Sequence, residues 1–369
     1  MEFHPGRIAT DEVVYARHGA LGRIRLNRPK AINALTHAMV VSMLAQLDDW
    51  AGDESVRAVV IDGAGDRGLC AGGDVRQLRE AIVHGDGDPE RFWDDEYRLN
   101  AAIANYPKPY VAIMDGVVMG GGVGVSVYGS LRLVTPRSKV AMPETGIGFF
   151  PDVGVLYPLS RAPGELGTHA ALTGMPMTGA DAVLCGLADA VVEPDTIEPM
   201  LAALADGKVE PDTAVADGVP VERGALPGSA TTAANVGPGD GFAAPLAADR
   251  EWIDTCYRGD DAVAILAALR NRPETAARHA AEVLESRSPL SVAVTLAAIR
   301  RAAFMSLTEV LDQDRHLGRH FAAEPDFVEG VRAVLVDRDH NPRWRHNGLA
   351  EVPAIEVKAM FGDRNQYRQ

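Results

Sequence analysis

The chain has 369 residues, 47% of them hydrophobic and 24% charged, an ordinary globular balance at a length beyond what one hydrophobic core usually supports. Fifty-one acidic against 36 basic residues leave a formal charge of −15, a field that repels nucleic-acid phosphate and anionic lipid, so neither is an expected partner. Cys70, Cys185 and Cys256 stand far apart without a C-x-x-C pair, which suggests buried thiols in a reducing compartment rather than a zinc site or a disulfide framework.

Residues 1–22 contain no apolar run behind a basic segment, and no apolar stretch approaches the ~18 residues a bilayer span needs. A cytoplasmic enzyme is the expectation. Val13–Tyr15 and Ile24–Leu26 flank a turn at His18–Gly22 and read as a hairpin. From Asn33 to Trp50, Leu35, Met39, Met43, Leu44 and Leu47 form a helical stripe, with Thr36 near its start. Arg57–Ile61 and Tyr110–Met114 read as buried strands, each ended by Asp-Gly. Leu131–Val134, Lys139–Met142 and Ala190–Val192 are further strand candidates. Strands alternating with helices make this an α/β architecture.

The first 204 residues therefore read as a core. Residues 205–248, rich in Gly, Pro and Ala without apolar periodicity, read as a linker or long loop. From 249 to 369 the spacing is helical over Trp252–Leu269, Glu274–Glu285, Leu290–Phe304, Thr308–Ala322 and Phe327–Val336.

Several familiar signatures fail. Gly124-Val-Ser126-Val-Tyr128 lacks the closing glycine of a nucleophile elbow, and neither H-E-x-x-H nor a G-x-x-x-x-G-K-[ST] loop occurs. The glycines at 120–124 lack dinucleotide spacing. What remains is Cys70-Ala-Gly-Gly-Asp74 and Met119-Gly-Gly-Gly-Val-Gly124, two glycine clusters able to turn sharply and open a helix. One such cluster is more often tight packing of helix on sheet. Two in matching contexts can aim two backbone N–H groups at a carbonyl oxygen, the arrangement an oxyanion hole requires. Downstream, Glu144 and Asp152 lie eight residues apart in an apolar, glycine-bearing loop. An isolated loop glutamate is commonly a cap or salt-bridge partner; a pair in apolar surroundings suits acid–base or nucleophilic work.

The succession Asn27-Arg-Pro-Lys-Ala-Ile-Asn-Ala-Leu35, Leu69-Cys-Ala-Gly-Gly-Asp74, Met119–Gly124 and Met142-Pro-Glu-Thr with Phe150-Pro-Asp152 resembles the crotonase superfamily. Within it, Phe327–Asp339 and Pro342-Arg-Trp344 look like the tail of the subfamily that hydrolyses 3-hydroxyisobutyryl-CoA. The resemblance covers nearly the whole chain and is weakest across 205–248. It implies a crotonase-like (ClpP/crotonase) core of ββα superhelix turns with a C-terminal helical region. It also implies an acyl-CoA substrate in valine degradation and no cofactor beyond the coenzyme A carried by that substrate.

Carried over by position, Gly73 and Gly121 supply oxyanion-hole amides, Glu144 is the principal catalytic carboxylate and Asp152 its partner. Glu96 lines the acyl pocket. Lys30, Ala31 and Ile32, with Ala71, Gly72, Asp74 and Gly120, bind substrate along the nucleotide and the turn. No metal is implied. Enoyl-CoA hydratases resemble this chain at the glycine run but carry a Glu at the position of Gly124, so the motif points away from hydration, which needs two carboxylates on one water. An enoyl-CoA isomerase or hydratase of the same fold is the rival enzyme, and a non-catalytic acyl-CoA-binding protein the distant one. Relatives of this fold often form trimers or hexamers, which the helical tail could obstruct, so self-association stays open.

Overall fold

The hairpin forms as the sequence predicts but runs longer: β1 (Val13–His18) pairs antiparallel with β2 (Leu21–Leu26), Val13 opposite Leu26. In the computed structural model, which describes residues 2–206 and 243–362, this hairpin edges a six-stranded sheet. β3 (Ala58–Gly63), β4 (Tyr110–Met114), β6 (Leu131–Val134) and β9 (Ala190–Val191) join it in the order β1-β2-β3-β4-β6-β9, every pairing after the hairpin parallel. The unbroken apolar runs of β3 and β4 reflect that parallel arrangement, since both faces of such strands are covered. Leu21, Val60, Val111, Ile113, Leu133, Leu201 and Leu204 pack on one side as a core cluster.

Of a smaller sheet the sequence predicts only the middle strand, β7 (Lys139–Ala141); β5 (Val117–Met119) and β8 (Met177–Thr178), which flank it in the order β5-β7-β8, escape it. Strands of two or three residues carry no periodicity to detect. The first helix, α1 (His37–Gly52), begins later than the apolar stripe suggests. Ile32 and Asn33 adopt left-handed backbone (φ 47° and 55°), which no helix accepts, and the Thr36 hydroxyl caps by accepting from the Met39 amide at 3.3 Å. Helices α2 (Val75–His84) and α3 (Pro89–Ala104) follow, and α4 (Gly121–Gly124) is a single turn.

By compactness the chain divides into two interleaved units. The first comprises Met1–Gly73, Asp95–Ala141 and Met177–Pro245, and carries both sheets; the second comprises Asp74–Asp94, Met142–Pro176 and Leu246–Gln369. The segments 74–94 and 142–176 thus group with the C-terminal helices rather than with the rest of the first 204 residues. The described ends of the 205–248 stretch reach into helices, Ala205 closing Pro194–Ala205 and Pro245 opening Pro245–Cys256; residues 207–242 of that expected linker lie outside the described residues.

The second unit is helical. The continuous helix expected over Trp252–Leu269 is two, Pro245–Cys256 and Ala262–Arg270, because Asp261 accepts from the Val263 and Ala264 amides and starts a new one. Thr275–Ser286, Pro289–Ala302 and Leu307–Phe321 fall close to their expected limits. The last stripe splits into the α-helix Pro325–Val331 and a π turn at Arg332–Val336. Trp93, Phe149, Phe150, Phe321 and Phe327 stack within this unit, ring centroids 4.7–6.0 Å apart. All three cysteines are buried and free. Among the described residues no helix is long and apolar enough to cross a membrane, and no group of three or more His, Cys, Asp or Glu could hold a metal ion.

Candidate active site

In the first unit the two glycine turns meet. The strip Leu69–Gly73 lies against two others: Leu35 N–H donates to Gly72 O at 2.8 Å and Ala71 N–H to Ile32 O at 2.9 Å. On the opposite edge Cys70 N–H donates to Val117 O at 3.1 Å and Met119 N–H to Cys70 O at 2.9 Å. These bonds bring the expected nucleotide stretch Lys30–Ile32 alongside Ala71 and Gly72. Asn33, fully buried, ties the corner: its side chain donates to Ala64 O and Gly68 O and accepts from the Arg28 amide at 2.9 Å.

β5 then delivers Gly120, whose amide bonds Ala141 O at 3.3 Å, and Gly121 opens α4. A Cβ placed on Gly121 would lie 3.3 Å from the Gly73 nitrogen and 3.1 Å from Leu35 Cδ1, and would collide with Glu96 Oε1. Gly73, Gly121 and Glu96 are therefore neighbours, and residue 121 must lack a side chain for this approach. Among the described residues neither the Gly73 nor the Gly121 amide donates a hydrogen bond within the protein. Gly121 is the first residue of α4, where the start of a helix leaves such a group unsatisfied, and Gly73 immediately precedes the cap of α2. Cys70 is packing: burial pushes its thiol up to about 12. Asn100, one turn beyond Glu96 on α3, is fully buried, and neither amide atom has a partner among the described residues; an asparagine within a helical stripe carried no signal of this.

The second unit holds Asp74, Glu144 and Asp152. Asp74 is the N-cap residue of α2. Glu144 opens a 3-10 turn, Glu144–Ile147, and is 8% exposed; Asp152 is 5% exposed. Gly148 ends that turn in left-handed conformation (φ 71°), and a Cβ there would strike the Asp326 backbone, so only glycine lets the loop pass. Arg287, whose guanidinium burial holds below its usual range, donates to Thr173 O at 2.9 and 2.6 Å and packs on Gly146. After Asp152 the backbone turns left-handed twice, at Val153 (φ 53°) and Gly154 (φ 75°). A β-branched residue in that region is a strained outlier of the kind that clusters at functional sites.

What fixes this turn is a residue the sequence reading missed. The Gly154 amide donates to Asp314 Oδ2 at 2.7 Å, from the helix Leu307–Phe321. Asp314 is fully buried, and burial first, then the charge of Asp152, push its carboxyl well above the usual range. Nothing in the sequence separates it from the other acids of its helix.

A twisted sheet of mostly parallel strands beside a three-stranded sheet, with two glycine turns presenting free amides, defines the crotonase class of acyl-CoA proteins. Residues 21–361 match the family model described as enoyl-CoA hydratase/isomerase, and the chain belongs to that family. It is 39% identical to the mitochondrial 3-hydroxyisobutyryl-CoA hydrolase of Danio rerio, over 97% of this chain and 91% of that protein. It is 35% identical to the human one, over 96% and 89%. Among solved structures, a carnitinyl-CoA dehydratase from Mycobacterium thermoresistibile is 47% identical with a TM-score of 0.85, covering 96% of this chain and 97% of that one. An enoyl-CoA hydratase from Rhodobacter sphaeroides 2.4.1 is 36% identical with a TM-score of 0.83, covering 96% and 98%.

Proposed function

We propose that the chain hydrolyses a short, branched 3-hydroxyacyl-CoA thioester, 3-hydroxyisobutyryl-CoA, to the free acid and CoA in the direction of valine degradation. The amides of Gly73 and Gly121 hold the thioester carbonyl oxygen as it gains charge. Glu144 either attacks the carbonyl carbon, expelling CoA and leaving a mixed anhydride that water opens, or takes the proton of an attacking water. In both routes water is consumed, the C–S bond breaks and the thiol leaves with a proton. Asp152 orients the substrate hydroxyl or the water. Glu96 lines the acyl group, while Lys30, Ala31, Ile32, Ala71, Gly72, Asp74 and Gly120 contact the rest of the ester. Coenzyme A enters only as part of the substrate.

One observation carries this reading: Glu144 and Asp152 are both buried on a single loop, whereas the glycine-run position that carries a Glu in hydratases is Gly124. The full-length likeness to the hydrolases supports it. The test is Glu144→Gln, which keeps shape and removes charge. CoA release, followed with a thiol reagent on 3-hydroxyisobutyryl-, 3-hydroxypropionyl- and crotonyl-CoA, should fall at least ~10³-fold with the fold intact. Near-normal turnover would remove Glu144 from the mechanism.

The two solved relatives, a dehydratase and a hydratase, favour a second reading: hydration or isomerisation of an enoyl-CoA. Those reactions leave the thioester intact, so loss of the enoyl absorbance of crotonyl-CoA without free thiol would select it. A cytoplasmic location completes the proposal, tested by cell fractionation; light scattering decides whether the chain self-associates.

A further inference from the structure

We propose that Asp314 is a positioning residue for Asp152: bonded to the Gly154 amide, its carboxyl holds the left-handed Val153–Gly154 turn and so fixes the direction of the Asp152 side chain. This rests on the hydrolase reading and extends it to a residue outside the motifs.

The geometry is specific. Asp314 is fully buried, reaches the turn across 160 residues of sequence, and meets the first amide beyond strained Val153 at 2.7 Å. Such backbone persists only where its surroundings over-determine it, and this bond supplies that constraint. The carboxyl receives a single donor: Oδ1 has no hydrogen-bond partner among the described residues. An ionised carboxylate in an apolar interior would need donors at both oxygens, so the neutral acid fits. Burial and the charge of Asp152 both favour that form; the Gly154 bond and Arg315 oppose it. The arrangement keeps one negative charge on the loop side, at Asp152, rather than two that repel.

The experiment is a double-mutant cycle on CoA release from 3-hydroxyisobutyryl-CoA, with wild type, Asp314→Ala, Asp152→Asn and the double variant, beside Asp314→Asn. Asp314→Ala should lower kcat by ~10- to 100-fold with KM within about threefold. Its effect should shrink to under about threefold in the Asp152→Asn background. Asp314→Asn, neutral and still able to accept from Gly154, should restore most of the loss. Equal losses in both backgrounds, or an Asp314→Ala enzyme with wild-type kcat, overturn the proposal. Wild type that releases no CoA from any ester instead overturns the hydrolase reading.

A second measurement does not depend on the alanine variant folding. An acid held protonated by the fold takes up a proton on folding above its ordinary pKa, so stability is lost as pH rises. The melting temperature of Asp314→Asn should therefore gain on wild type as pH goes from 5 to 8. A difference that stays flat with pH refutes the neutral carboxyl.

Discussion

Adding one methyl group at Gly121 tests the oxyanion turn directly. The backbone there is the first residue of α4 and accepts alanine, so any effect comes from space alone. The new Cβ would lie 3.1 Å from Leu35 Cδ1 and 3.3 Å from the Gly73 nitrogen, both tighter than ordinary contact, and inside the reach of Glu96 Oε1. The Leu35 and Glu96 side-chain ends can give way, whereas the Gly73 amide is backbone, held beside the Leu35–Gly72 bond. Overpacking of this size costs about 1–3 kcal/mol of stability. Because misplacing one donor by ~1 Å costs on the order of 10²-fold, kcat for CoA release from Gly121→Ala should fall ~100-fold, or ~3 kcal/mol in the barrier. Stopped thiol assays give kcat, and circular dichroism melts show the variant folded. Gly52→Ala, where the added Cβ meets nothing within 4 Å, is the control and should leave both measurements nearly unchanged. A folded Gly121→Ala enzyme within threefold of wild-type kcat would refute the oxyanion role of this turn.

Asp189→Ala should destabilise by ~3–5 kcal/mol in urea unfolding. The Arg132 guanidinium, buried and bonded to Asp189 at 3.0 and 2.6 Å, would be left uncompensated, while Asp189→Asn should cost less. His169 is buried against Tyr257 at 2.9 Å, and burial lowers its pKa to about 4. The folded form stays neutral while the unfolded chain protonates near 6.5, so stability is full above that pH and falls as pH drops toward 4, by about 3 kcal/mol. Melts between pH 4 and 7 should show the decline, and His169→Gln should flatten it.

The parallel strands were legible because their apolar runs are continuous, and the helices of the last third because their stripes repeat every three to four residues. Both glycine turns, Glu144 and Asp152 stood out as local motifs. Boundaries failed where backbone outweighed side-chain pattern, as at Ile32 and Asn33, whose left-handed conformation delays α1 to His37. The interleaving of 74–94 and 142–176 with the C-terminal helices was equally hidden, since compactness is a property of contacts and not of segments.

By itself the sequence determined the family, the pair of amide-bearing turns and the two carboxylates, because each is written in a run of adjacent residues. Only the tertiary structure placed Glu96 beside Gly121, paired the Leu35 amide with Gly72 and set Asp314 under the Gly154 amide. Those relations join residues tens to 160 positions apart, and a hydrogen bond or a burial penalty depends on distance in space, which local spacing does not encode.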